Sequence, residues 1–285
     1  MLFTQLLAWW CVILPGNPVV LVFANIICLS LSTVLIAAAG YIINDYFDIK
    51  IDTINRPQKV ILQVAIPQRK AILLHSVLNV IAIVLAIFVV AQAHHYEWLL
   101  LQVICSVLLW FYSTHFKRQY ITGNVIVALL TAFTIVVLII YEPAMQRLSK
   151  LILMVYACFA FVLTWMREIV KDMEDYIGDE AEGCTTMPIK KGLRFSARFC
   201  IGLSVIAILL LVLTSALLFH QHYLLLSFYI AIGIILPLIL WSVFFVSKTT
   251  TQHYLAASRA LKAIMLLGIC SLLVYHFQLP TDYAR

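Results

Sequence analysis

The chain has 285 residues, of which 64% are hydrophobic and only 11% charged, with a mean hydropathy of +1.03. That composition excludes a soluble globular domain and identifies an integral membrane protein. The net charge of +6 is spread over several short polar stretches, so it marks topology and contact with anionic lipid and excludes nucleic acid as a partner.

Leu2 to Leu14 is apolar, with Trp9 and Trp10. It falls short of the roughly 17 residues that a crossing needs and reads as a partial first helix. It has neither a basic leader nor a small-residue cleavage site, so a cleaved signal peptide is not expected. Residues 19–43 form the first full span. At its end stands Asn44-Asp45-Tyr46-Phe47-Asp48-Ile49-Lys50-Ile51-Asp52. Carboxylates at i, i+3 and i+7 share one helical face, so Asp45, Asp48 and Asp52 make a stripe of negative charge at a helix end. About 25 residues then separate this span from the next, a loop long enough to be functional. It holds Asn55-Arg56-Pro57 and Lys59.

Spans at 71–93, 97–114 and 121–141 follow with short connections. Tyr112-Ser113 with Lys117 and Arg118 closes the second of these; the group can reach a phosphate, and its basic residues equally satisfy the topology rule with no ligand. The span at 151–170 leads into Asp172-Met173-Glu174-Asp175-Tyr176-Ile177-Gly178-Asp179, which repeats the D-x-x-D-x-x-x-D spacing. Arg167 and Lys171 lie one turn apart and repel unless an anion sits between them, so an anion site is expected there. A second long loop carries Gly183, Thr185, Thr186, Pro188, Lys190 and Lys191. Spans at 195–219, 223–246 and 255–277 complete eight full crossings in a single domain over residues 1–285. The seven cysteines are scattered, six of them in apolar runs, with neither zinc spacing nor a disulfide framework.

Grouping the loops alternately puts sixteen of the nineteen Lys and Arg residues on one side and three on the other. The positive-inside rule makes the first side cytoplasmic, in the cell membrane, and both acidic stretches fall on it. Ten of the thirteen Asp and Glu residues lie in or beside these stretches. Clustered carboxylates next to hydrocarbon need a cation, and hard oxygen ligands favour Mg²⁺ or Ca²⁺ over zinc. Each acidic stretch is followed by basic residues, as a metal-bridged polyphosphate requires. Asn44, one turn before Asp48, adds a neutral oxygen.

On these residues the chain resembles the UbiA superfamily of intramembrane prenyltransferases. Asn44, Asp45, Asp48 and Asp52 meet that family's N-D-x-x-D-x-x-x-D motif, Asn55-Arg56-Pro57 matches what commonly follows it, and Asp175 and Asp179 meet its D-x-x-x-D motif. The run from Arg167 to Asp179 looks most like the branch containing digeranylgeranylglyceryl phosphate synthase. The resemblance implies an all-α bundle of about nine transmembrane helices around a lipid-open central cavity, capped by the motif-bearing loops. It also implies Mg²⁺-dependent transfer of a prenyl group from an isoprenyl diphosphate to a lipophilic acceptor. Asn44, Asp48, Asp52, Asp172, Asp175 and Asp179 are the expected metal ligands. Asp45 is expected to orient them or face the acceptor, and Arg56, Lys117, Lys171 and Lys190 to hold the diphosphate. The family's Arg-Pro-x-Asn-like opening of the first helix has no counterpart here.

The favoured acceptor is a phosphorylated glycerol-type ether lipid, its phosphate on Lys190, Lys191 and Arg194, and the alternative is C-prenylation of an aromatic quinone precursor. A divalent-cation transporter is the competitor of another class. Its carboxylates would belong near the bilayer midplane, not at a rim interleaved with Lys and Arg. A CDP-alcohol phosphotransferase needs a D-G-x-x-A-R pattern that is missing.

Overall fold

The structure, a computed structural model, describes residues 1–55, 57–59, 67–246 and 250–279. In hydrocarbon an unpaired backbone amide costs several kcal/mol, so an apolar run crosses as a helix. Helix α1 (Leu2–Ala8) is prolonged by a π-helical turn at Trp9–Ile13. Then come α2 (Phe23–Asn55), α3 (Gln68–Ala93), α4 (Leu99–Thr114), α5 (Thr122–Tyr141), α6 (Arg147–Glu174), the short α7 (Tyr176–Ala181) and α8 (Met187–Lys191), and α9 (Leu193–His220). Helices α10 (Leu224–Ile230) and α11 (Leu236–Val246) are joined by a π-helical turn at Ala231–Ile235 into one crossing, and α12 (Thr251–Phe277) follows. Eight helices among the described residues are long and apolar enough to cross a bilayer, and Leu2–Ile13 is a shorter ninth.

The sequence puts the first acidic stripe on one face of a helix end, and α2 continues unbroken through it to Asn55. Its 33 residues give a rod of roughly 50 Å against about 30 Å of hydrocarbon. The last three turns therefore project beyond the apolar slab, where a charged helical face is solvated. The second stripe is broken. Helix α6 ends at Glu174, and Asp175 sits at φ −91°, ψ 8° between α6 and α7, so its three carboxylates do not share one continuous helical face.

Lipid tails are as apolar as leucine, so close approach and polar contacts hold these helices together, not a hydrophobic drive. Ala39 of α2 and Ala82 and Ala86 of α3 are fully buried, and Ser32 donates to the Ala82 carbonyl at 2.8 Å. Helix α2 packs on α3 and α4, α4 on α5, α5 on α6, and α6 on α9 and α12. Helix α1 touches α2, α5 and α12 and so closes a ring. Gln5 Nε2 donates to the Thr134 carbonyl at 2.8 Å, and the Trp9 indole donates to the Leu21 carbonyl at 2.8 Å. At that end of the bundle the fully buried Glu142 accepts the Val20 and Leu21 amides at 2.9 and 2.6 Å, which fixes the turn between α1 and α2. At the opposite end lie the C-termini of α2, α4 and α6 and the N-termini of α3, α9 and α12, with most of the Lys and Arg residues and both acidic stretches.

Candidate active site

Asp45, Asp48 and Asp52 from α2, Asp172 from α6, Asp175 at the α6–α7 break and Asp179 from α7 all line one cleft of about 100 Å³. Asn44, Ile51, Tyr112, Lys117, Arg118, Glu168, Lys171 and Cys184 complete its walls. Two segments more than a hundred residues apart thus meet because the extended end of α2 lies against α7. Their clasp is Asn55: its Nδ2 donates to the Asp175 carbonyl at 3.0 Å, and its Oδ1 accepts the Gly178 amide at 2.9 Å.

Within the cleft the polar groups are interlocked. Asn44 Nδ2 donates to Asp48 Oδ2 at 2.7 Å, and the Lys117 ammonium pairs with the same oxygen. Asn44 Oδ1 is buried with no partner among the described residues. Asn124, from the first turn of α5, donates to Asp172 Oδ2 at 2.8 Å. Thr186 Oγ1 lies 3.5 Å from Asp179 Oδ2. The Arg118 carbonyl accepts both the amide and the hydroxyl of Thr185, at 2.8 and 3.0 Å, tying the turn after α4 to the α7–α8 connection. Burial first, and the neighbouring charge of Asp175 second, push the Asp179 carboxyl up to about 7. Cys184 is pushed up to about 11, mainly by burial. It stays a thiol, which leaves oxygens as the ligands of the cleft.

These donors suit magnesium. Seven carboxyl groups face three cationic side chains in the cleft, and an unneutralised excess of that kind attracts hard divalent ions. The orphaned Asn44 Oδ1 is one more hard oxygen. Among the described residues no three of the carboxyl, imidazole and thiol groups converge as a ready-made ligand set. Lys117 covers Asp48 in this arrangement, and an incoming cation would take that place.

The cleft adjoins a second cavity of about 330 Å³ enclosed by α2, α4, α5, α6 and α12. Ile36, Leu101, Leu109, Leu130, Val137 and Met265 form apolar walls, and Met1 also lines it. Asn44, Tyr112, Glu168 and Lys171 line both spaces, so the two meet at those four residues.

Three sequence expectations change. Lys190 lines neither cavity: it is exposed, with its ammonium 5.9 Å from the centroid of the Tyr120 ring. Lys191 and Arg194 line neither one as well. Between Arg167 and Lys171 stands Glu168, which accepts from Arg167 Nη1 at 2.6 Å and lies 3.7 Å from Lys171 Nζ; a carboxylate already relieves their repulsion. Arg56 lies outside the described residues. Asn124 and the clasping role of Asn55 escape a reading by acidic motif alone. The available signal for Asn124 is a polar amide next to a glycine at the start of an otherwise apolar helix.

A solved structure from work on digeranylgeranylglyceryl phosphate synthase in membranes superposes with a TM-score of 0.66 and 26% identity, covering 98% of this chain and 93% of its own. A UbiA homologue from Archaeoglobus fulgidus bound to GPP and Mg²⁺ shares the fold at a TM-score of 0.62 and 14% identity, with 95% of each chain covered. In sequence, the digeranylgeranylglyceryl phosphate synthase of Ignicoccus hospitalis is 30% identical over 256 residues, 89% of this chain and 82% of the relative. The UbiA prenyltransferase family matches residues 2–266, and the chain therefore belongs to that family.

Proposed function

We propose that the protein transfers a prenyl group from an isoprenyl diphosphate to the free hydroxyl of a prenylated glyceryl phosphate. The carrying observation is that an acidic cleft and a largely apolar cavity lie side by side, sharing Asn44, Tyr112, Glu168 and Lys171 as wall residues. A diphosphate head on a hydrocarbon tail has that same division of polarity. The name of the Ignicoccus relative supports the acceptor, since removing one prenyl group from its product leaves a monoprenylated glyceryl phosphate. The GPP and Mg²⁺ in the Archaeoglobus neighbour agree with the donor and the metal.

Asn44, Asp48, Asp52, Asp172, Asp175 and Asp179 would hold magnesium, and Asp45 would orient them. When bound, the metal supplies the positive charge that stabilises diphosphate as a leaving group. Lys117, Arg118 and Lys171 bind phosphate oxygens that the metal leaves uncovered, a role that Arg56 would share. The apolar walls hold the tail and keep water from the allylic cation as its bond to oxygen breaks. The acceptor hydroxyl then bonds to that carbon and gives its proton to Glu168 at the junction. The protonated ether is a strong acid, so a carboxylate already paired with Arg167 and Lys171 is basic enough. The excess of Lys and Arg at this end supports a site facing the cytoplasm from the cell membrane.

The test is a competition in detergent with Mg²⁺ and geranylgeranyl diphosphate. Monoprenylglyceryl phosphate should be alkylated and should suppress use of any other acceptor. Efficient prenylation of 4-hydroxybenzoate with the glyceryl ether ignored would replace O-alkylation with aromatic C-prenylation.

A further inference from the structure

The wider cavity carries a charged patch of which donor binding uses only Lys171, at the junction. Arg167 and Lys171 from α6 and Lys262 from α12 line it beside a single carboxylate, Glu168. Glu168 is shared between Arg167 and Lys171, so the Lys262 charge is left to solvent or a ligand. Lys262 also faces Arg167, Lys171 and Arg259, with Glu168 the one opposing charge. Cations gathered this way repel one another unless an anion joins them.

Unsatisfied donors mark the same spot. Arg167 Nε and Thr164 Oγ1 are buried and have no hydrogen-bond partner among the described residues, and both residues line the cavity. Thr164, Arg167 and Lys171 recur at i, i+3 and i+7, one face of α6. A buried donor without an acceptor is costly, so each calls for a ligand oxygen. A hydroxyl, a guanidinium fork and an ammonium on α6, with the Lys262 ammonium from α12, match the several oxygens of a phosphate monoester. The acidic cleft has Lys117 and Arg118 of its own, and the patch lies on the cavity side of the junction.

We infer that Thr164, Arg167 and Lys262 bind the phosphate monoester of the acceptor, with Lys171 between that phosphate and the donor diphosphate. This assignment rests on the proposed transfer to a glyceryl phosphate. It moves the acceptor anion site from the α8–α9 region to the facing ends of α6 and α12.

Steady-state kinetics with two acceptors test it: monoprenylglyceryl phosphate and the same glyceryl ether without phosphate. Each of K262Q, R167Q and T164V should raise KM for the phosphorylated acceptor, by about tenfold for the two charge removals. For K262Q and T164V, the KM values for the donor and for the unphosphorylated ether, and kcat, should move less than about twofold on that same scale. R167Q exposes Glu168 to loss of its partner, so K262Q at an exposed lysine is the deciding variant and R167K should recover part of the loss. Equal rises for donor and acceptor would assign the patch to diphosphate and overturn the inference. If phosphatidate vesicles inhibit wild type and K262Q alike while the acceptor KM is unchanged in K262Q, membrane lipid recognition lies elsewhere and the acceptor site falls too. A wild type that ignores the glyceryl ether altogether removes the underlying reading; one that uses it while K262Q keeps its KM removes this site alone.

Discussion

Asn55 and Gly178 interlock so closely that a side chain on the glycine has nowhere to go. A Cβ at Gly178 would stand 2.5 Å from Asn55 Nδ2, and the amide it would displace makes both hydrogen bonds that join the end of α2 to the α6–α7 break. The two acidic stretches therefore depend on one asparagine for their registry. G178A and N55A are each expected to cost about 1–3 kcal/mol of stability and to lower turnover further than heat sensitivity explains. Thermal melts in detergent beside initial rates at a temperature well below the melt check this. Full turnover in N55A would show that the registry has another source.

D48N and D175N keep side-chain volume and remove charge from the cleft. Each is expected to reduce turnover on the order of 100-fold or more at saturating Mg²⁺, with the melting temperature of the metal-free protein not lowered. Near-normal rates in either variant would take that residue out of the metal site.

The raised Asp179 carboxyl makes both stability and metal affinity depend on pH. Its ordinary value is 3.8 and the fold pushes it up to about 7, so between those limits the folded protein binds more protons than the unfolded chain. Stability of the metal-free protein is then highest at the acid end and declines as pH rises from about 4 to about 7. Mg²⁺ competes with that proton, so its apparent affinity is expected to fall below pH of about 7. D179N should flatten both trends. Melting curves against pH with and without Mg²⁺ supply the measurement, and an unchanged slope in D179N would assign the proton to another group.

Gly40 lines the apolar cavity, and a Cβ there would approach Leu109 Cδ1 to 2.9 Å. The leucine must swing, and the cavity narrows by about one methyl group. G40A is expected to shift donor preference toward shorter prenyl chains by about tenfold, read from competition between geranyl and geranylgeranyl diphosphate. An unchanged ratio would mean the tail runs elsewhere.

Most of the membrane architecture was legible because lipid leaves a chain few options: apolar runs of spanning length become helices, and alternating charge orders their ends. The acidic stretches were legible from the spacing of their carboxylates. Where α2 stops was not, because a helix projecting from the bilayer and a loop carry the same polar residues; only the Asn55 contacts distinguish them. The break at Asp175 was equally hidden, since nothing at that position forbids a helix and the packing of α7 on α2 decides it. Lys190 follows the second acidic stretch closely in sequence, but α8 turns its ammonium to Tyr120, which sequence spacing alone does not foretell. The anion expected between Arg167 and Lys171 is the chain's own Glu168, the carboxylate shared by both.

Product formation under metal control is the decisive measurement. Purified protein is depleted of metal with a chelator, supplied with geranylgeranyl diphosphate and monoprenylglyceryl phosphate, and analysed by mass spectrometry before and after Mg²⁺ is restored. The diprenylated glyceryl phosphate and one equivalent of diphosphate should be absent under chelation and appear together with Mg²⁺. Equal product in both conditions, or Mg²⁺ uptake into vesicles with no diphosphate released from any prenyl donor, would contradict a magnesium-dependent prenyl transfer.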